Sequence, residues 1–447
     1  MSRVREHANP EKIERLLLIG QPVGAAYYGV LFDRGVFTLF LLSLGVREFL
    51  LGIMAIIPPA LGVLSVVLMP HLRPRYSRVF FLSERAMAVI GFLILPLFLI
   101  ADRIPFPASA AWCMVFLMLC YGASQIYTLA WFPFIADIVP SERIGRFLGI
   151  LRFWIIAGVF CLLQVVQRIL GDEPGYVRFF WAVLMLACLQ TLRPLVFRRI
   201  PHLPSQQGQE QYGYRSAIRS ILQRREMALY LIYLFSSCFI YSVTGPFVIP
   251  YLKIHLRMSA SFCLFLSSVS LLGYGLSVFG WGKFNDRWGS HVTLFLAKLY
   301  SPVYWLCLAH VHLVPPEYQQ GLLTVISFFG GISAAGAELA SVSRRIMLSE
   351  GVDRFSFLGY TMILGAQLPA IIGAPAGGYL LQRMSSARLG HYSIYSLLFL
   401  GAGCALAALL VVIVRMRTFR ERPLAETMRE SLSEGLWKLR EFIVSPP

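Results

Sequence analysis

The sequence predicts an all-α integral membrane protein with twelve transmembrane helices, on three observations. Of 447 residues, 57 % are hydrophobic and only 14 % charged, about half the charged fraction of an ordinary soluble domain. Apolar runs of the roughly 20 residues a helix needs to cross a hydrocarbon core recur along the chain, separated by short polar turns. None of these runs alternates polar and apolar residues, as the strands of an outer-membrane barrel do.

Six runs lie in the first half, at 22–44, 49–70, 79–101, 108–133, 146–167 and 179–197. The first follows a basic start but is long and lacks a small-x-small exit, so it reads as a membrane helix and not a cleavable leader. A long polar gap follows, "RRIPHLPSQQGQEQYGYRSAIRSILQRRE" at 198–226. Its Pro- and Gln-rich part reads as a linker, and "YRSAIRSILQRRE" as a basic helix suited to anionic headgroups. Six further runs are at 227–250, 260–281, 292–312, 321–343, 356–381 and 393–414. In the tail, Leu424, Met428, Leu432, Leu436, Leu439 and Phe442 recur at steps of three or four, one stripe of an amphipathic helix. The implied organisation is an N-terminus 1–21, a six-helix bundle 22–197, a linker 198–226, a second six-helix bundle 227–414 and a tail 415–447.

The net charge of +17 raises the possibility of nucleic acid, and the positions of the charges exclude it. Most Lys and Arg fall in the two ends of the chain, the linker and the turns on that same side. The opposite turns hold few, among them Arg47, Arg103, Arg178, Lys253 and Arg257. That asymmetry sets orientation, so both termini are expected in the cytoplasm of a bacterial cell, with the chain in the inner membrane and lipid as its surroundings.

Eight cysteines without a C-x-x-C spacing read as small packing residues. His310 and His312, two apart on a helix, point away from each other and form no metal site. Absence of H-E-x-x-H, G-x-S-x-G and G-x-x-x-x-G-K-S/T leaves no enzyme motif, no cofactor and no nucleotide site. Any transport would therefore run on a gradient.

One charged, Gly-rich stretch stands out between the eighth and ninth runs, "GKFNDRWG", with Gly282, Asp286, Arg287 and Gly289. Gly282 permits close helix approach, Asp286 is suited to the N-H groups of a helix start, and Gly289 permits a turn that other residues adopt at a cost. The stretch resembles the G-x-x-x-D-R-x-G signature of the major facilitator superfamily. "AWFPFIADIVPSERIGRFLG", with Pro140, Arg143, Gly145 and Arg146, is similar to that family's turn between helices four and five. "GAPAGG" at 373–378 is similar to its Gly-Pro-Gly helix contacts. The turn between helices two and three departs from the pattern: Pro70 and Pro74 stand where Gly and Asp belong, beside Arg73, Arg75 and Arg78. The resemblance implies two bundles rocking about a central cavity, gated by Gly282, Asp286, Arg287 and Gly289 with Arg143 and Arg146 opposite.

A charge deep in hydrocarbon is costly and marks a functional candidate. Asp33 falls near the middle of the first run with Arg34 beside it, either a proton or cation site or a structural ion pair. Glu338 lies among the small residues Gly330, Gly331, Ala334, Ala335 and Gly336, either a proton carrier or half of a salt bridge. Glu84, Arg85, Asp137, Arg193 and Lys298 are nearer the helix ends, where snorkelling or interhelix pairing is expected. The uncharged polar residues Tyr27, Tyr28, Gln125, Ser237, Tyr241, Thr244 and Gln367 lie in helices one, four, seven and eleven, which line the cavity in the family resembled. Together they describe a pocket for an amphipathic or aromatic solute. The expectation is a monomeric, proton-coupled secondary transporter that exports or exchanges a small organic molecule. The alternative is a transporter-shaped assembly or lipid-handling factor that moves no solute.

Overall fold

The computed structural model describes residues 10–72, 76–139, 144–200, 225–348, 359–384, 388–389 and 391–416. Twelve helices among them are long and apolar enough to cross a membrane. The first six are Lys12–Asp33, Glu48–Leu68, Tyr76–Ile100, Phe106–Trp131, Phe147–Leu170 and Tyr176–Phe197. The second six are Arg225–His255, Ala260–Trp288, Ser290–Leu313, Pro316–Leu348, Gly359–Arg383 and Ile394–Arg415. The chain is a multi-pass, all-α membrane protein. The only strand pairing among the described residues is a two-residue ladder of Arg388–Leu389 with Tyr392–Ser393.

Several boundaries differ from expectation, among them the end of the first span, at Asp33 and not at 44, because the helix is interrupted before Gly35. The first helix begins at Pro10, not at 22, because Ile13 and Leu17 are buried in an aromatic core with Phe80 and Phe134. The eighth helix, expected to end at 281, runs to Trp288, so "GKFNDRW" is helical and the turn is Gly289 alone. Gly289 has φ +84°, and Lys283 and Arg287 favour the carboxyl end of the helix that precedes it. The linker 201–224 and the tail beyond 416, with its amphipathic stripe, lie outside the described residues.

The chain divides into two compact units. One comprises Met1–Gln211, Tyr241–Leu271 and Gln367–Tyr395, and the other Tyr212–Ile240, Leu272–Ala366 and Ser396–Pro447. In the first unit the opening helix packs against the fifth and sixth spans, and the third span packs against the fourth. Its core is aromatic: Phe80 stacks on Phe134 at 4.4 Å and on Tyr127 at 4.8 Å. The second unit has a core of Tyr230, Leu294, Ala297, Ala340 and Ile413. Leu64, Leu82, Val89, Trp154, Val177 and Leu276 are exposed, an apolar exterior unsuited to water and suited to acyl chains.

Candidate functional site

The opening helix is irregular where its sequence turns polar and aromatic. After Tyr28 it widens into a π turn, Gly29–Asp33, and Gly35 at φ +87° precedes the next helix, Val36–Ser43. Such a π turn frees carbonyl groups and re-aims side chains, and these turns cluster at functional sites. Asp33 is exposed although it closes a turn of a membrane-spanning helix. Tyr121 lies midway along the helix Phe106–Ile138, with its ring 5.1 Å from that of Phe32. The sequence places Asp33 near mid-depth, and in the structure it is the last residue of the span that carries it. Arg34 is the charge that acts on it, and the Arg34 carbonyl accepts a hydrogen bond from Ser267 Oγ at 3.3 Å.

Aromatic rings cluster on Phe32, the residue before Asp33. The half-buried Phe32 ring lies 5.1 Å from Tyr121, 5.7 Å from Tyr28 and 5.4 Å from Phe37. Tyr27 and Tyr28 meet edge to face at 5.4 Å. Their hydroxyls are committed to backbone: Tyr28 donates to the Cys120 carbonyl at 3.1 Å and Tyr27 to the Gly91 carbonyl at 3.3 Å. Gly91 follows the end of the helix Tyr76–Ile90, where the helical ladder is interrupted and its carbonyl is open to a side-chain donor. Gln125, one turn from Tyr121 on the same helix, is half-buried.

Below these rings is a second polar centre that the sequence only half revealed. Arg193 and Glu84, with side chains 2 % and 1 % exposed, form an ion pair at 3.4 Å. The Arg193 guanidinium covers the Tyr127 ring at 4.5 Å, and Tyr127 donates to Gln21 Oε1 at 2.6 Å. In the amide orientation that satisfies both its ends, Gln190 donates to the Gly24 carbonyl at 2.7 Å and accepts from Arg193 at 3.2 Å. Gly24 is required: a Cβ there would fall on the guanidinium. The expectation of interhelix pairing for Glu84 and Arg193 holds, and they pair with each other. Gln21 and Gln190 carry no motif of their own, and the one signal is that Gln190 and Arg193 are three apart on one helix face.

Also in the first unit, Tyr241 is half-buried, and Thr244, 1 % exposed, ends the helix Arg225–Thr244. The half-buried Gln367 side chain lies against Gly62, 2.7 Å from where a Cβ would stand. The "GAPAGG" stretch makes close approaches of the kind its glycines suggest. A Cβ on Gly378 would lie 2.6 Å from the Glu48 carbonyl, and one on Gly52 would lie 2.5 Å from the Ala374 carbonyl. Nearby, Tyr395 donates to Glu48 at 2.8 Å, and the Asp172 carbonyl accepts from the Ala260 amide at 3.0 Å.

The second unit holds Ser237 and Glu338. Ser237 is 5 % exposed. Glu338 is exposed and accepts from Tyr274 at 2.8 Å, linking the tenth span to the eighth. In the signature stretch Asp286 and Arg287 are exposed, the Arg287 guanidinium lies 5.3 Å from the Trp288 ring, and a Cβ on Gly282 would stand 3.9 Å from Leu339, an ordinary contact. The buried member is Asn285, which donates to Ser343 at 3.3 Å. Arg143 lies outside the described residues, and Arg146 is the third residue of the helix Ile144–Leu170. Arg344, one of the basic residues at a helix end, is fully buried and donates to the Met416 carbonyl. No group of three or more His, Cys, Asp or Glu suited to a metal ion occurs among the described residues.

No protein-family model and no curated protein matches the chain in sequence. Solved structures do match in shape. The crystal structure of a point mutant of the nucleoside transporter NupG superposes with a TM-score of 0.71 at 14 % identity over 91 % of this chain and 100 % of that one. A D-xylose-proton symporter superposes at 0.63 and 13 % identity over 89 % and 97 %. A bacterial metal transporter superposes at 0.63 and 13 % identity over 90 % and 98 %. The chain has the major facilitator fold. In a major facilitator fold the residues that differ most in purpose are those of the cavity, and at this identity the likeness fixes the path of the backbone and not the solute.

Proposed function

We propose that the protein is a secondary active transporter that moves a small organic solute across the inner membrane by alternating access, coupled to protons and working by export or exchange. The moving parts are the six-helix bundles 22–197 and 227–414, both termini are cytoplasmic, and the monomer is the working unit. The observation that carries the reading is Asp33, an exposed carboxylate that closes the first membrane-spanning helix of a twelve-helix chain of this fold. An ionisable group there is expensive unless it takes up a proton or a solute. The structural likeness to a proton symporter supports the same reading.

Vesicles containing the purified chain, given an imposed pH gradient and a panel of candidate solutes, test it. The expected result is movement of at least one solute that stops when an uncoupler collapses the gradient, and that Asp33→Asn abolishes. A folded protein that moves none of the panel under any gradient would sink the reading. If Asp33→Asn still accumulates solute, coupling belongs to Glu338, the remaining candidate carboxylate.

A further inference from the structure

We propose that the exterior of the third and sixth spans, at the membrane face where the chain begins, holds an anionic phospholipid headgroup through Arg78, Arg85, Arg198 and Arg199. Lipid binding is independent of solute transport, so failure of either reading leaves the other standing. Charge, depth and surroundings select this ligand.

The two spans share a register. The Phe80 ring stacks on Phe197 at 5.8 Å, and Glu84 pairs with Arg193 at 3.4 Å one turn further along. Phe80 and Phe197 share a core with Ile13 and Leu17 of the opening helix, so this end is the one at which the chain begins. Arg78 therefore lies at the same end as Arg198 and Arg199, which follow the sixth span. All four arginines are exposed. The third span holds one acid, Glu84, whose carboxylate is buried in its pair with Arg193, and the sixth span holds none. Positive charge on this surface is therefore not offset by either span.

Arg85 stands nine residues inside the third span, about 13 Å along the helix at 1.5 Å per residue. Arg78 lies two turns earlier on the same face, and that face also exposes Leu82 and Val89. A guanidinium flanked by exposed leucine and valine on a membrane-spanning helix faces acyl chains, where a charge is costly. Snorkelling brings it nearer the headgroups, and its five N-H donors still require acceptors. A lipid phosphate drawn in beside Arg85 supplies them, since guanidinium matches phosphate with two parallel hydrogen bonds. A zwitterionic headgroup brings an ammonium for which the two spans offer no exposed carboxylate, whereas an anionic one brings only acceptors. A free phosphate ion would meet the same arginines but has no acyl chain to cover Leu82 and Val89.

Lipid retained by the purified full-length protein tests the proposal. Protein in mixed micelles with equal phosphatidylglycerol and phosphatidylcholine of the same acyl chains is passed through gel filtration, and bound lipid is counted by mass spectrometry. Several-fold enrichment of phosphatidylglycerol is expected, unchanged by excess inorganic phosphate. Arg78→Gln/Arg85→Gln should remove most of the enrichment, and Arg103→Gln, at an exposed arginine beyond the opposite end of the third span, should leave it intact. Equal retention of the two lipids by the parent, or full enrichment in a folded Arg78→Gln/Arg85→Gln, would overturn the proposal. An equal loss in Arg103→Gln would also overturn it, by making the effect one of net charge. Displacement of the lipid by inorganic phosphate would overturn it by assigning the arginines to a free anion. If Arg78→Gln/Arg85→Gln does not fold, Arg198→Gln/Arg199→Gln decides in its place: lost enrichment supports the proposal and full enrichment overturns it.

Discussion

Arg193 lies in a membrane-spanning helix with 2 % of its side chain exposed, and the groups around it explain how it is tolerated. A buried guanidinium needs a counter-charge and partners for its five N-H donors, and here Glu84, Gln190 and the face of Tyr127 supply them. Such a pair is weak evidence of stability in itself, yet removing one partner leaves an uncompensated charge. Glu84→Gln is therefore expected to cost about 3–5 kcal/mol. The double variant Glu84→Gln/Arg193→Met, which removes both charges, should recover most of it. Thermal unfolding in detergent reads the difference, and equal losses in single and double variants would refute the account. Gly24→Ala should destabilise through the same centre, because its Cβ would displace the guanidinium. The sequence exposed the two charges but not their partnership, since residues 109 apart meet only after helices three and six have packed.

At the scale of elements, the second and eleventh spans approach closely because glycine stands at each point of contact. Gly52 faces the Ala374 carbonyl and Gly378 the Glu48 carbonyl, with no room for a side chain at either. Without hydrophobic drive between helices in lipid, small residues that let backbones touch supply the attraction. Gly378→Leu should overpack this contact at a cost of about 1–3 kcal/mol, lowering the melting temperature. Gly378→Ala should have a smaller effect of the same sign. A leucine variant as stable as the parent would show that the two spans are not in contact. Gly289 presents a different constraint, since its φ of +84° joins helices eight and nine. Gly289→Val is expected to strain that junction where Gly289→Asn, which tolerates positive φ better, strains it less; both are read as shifts in melting temperature. The stretch that drew attention as a turn is helix up to Trp288, because nothing between Gly282 and Trp288 breaks a helix outright and the positive-φ residue comes last.

At the scale of the molecule, the distribution of Lys and Arg predicts that both termini are cytoplasmic. A cysteine replacing Gln207 in the linker, and tags at both ends, should react only with reagents that reach the cytoplasm. Labelling of any of the three from outside intact cells would reverse the topology, and with it the direction assigned to transport. The exterior bears large exposed apolar residues such as Leu64, Leu82 and Leu276, while Glu84, Gln190, Arg193 and Arg344 are buried. Hydropathy reports that a helix is apolar on average. It does not report which face carries the exceptions, and three of them, Glu84, Gln190 and Arg193, meet in one polar centre.

What the sequence determined by itself is the solvent, the number of helices and the positions of most of their ends. Each rests on a local quantity, the cost of exposing backbone or charge to hydrocarbon, which a run of about 20 residues settles without reference to the rest of the chain. What only the tertiary structure decided is which side chains share a site. Phe32, beside Asp33, meets Tyr121 because a π turn in the first helix and the middle of the fourth are packed together. Tyr27 and Tyr28 direct their hydroxyl protons to Gly91 and Cys120 for the same reason. These are contacts between residues 64 to 92 positions apart, and no periodicity in one helix specifies its rotation against another. Packing sets that rotation, and with it whether a tyrosine offers a solute its hydroxyl or its ring.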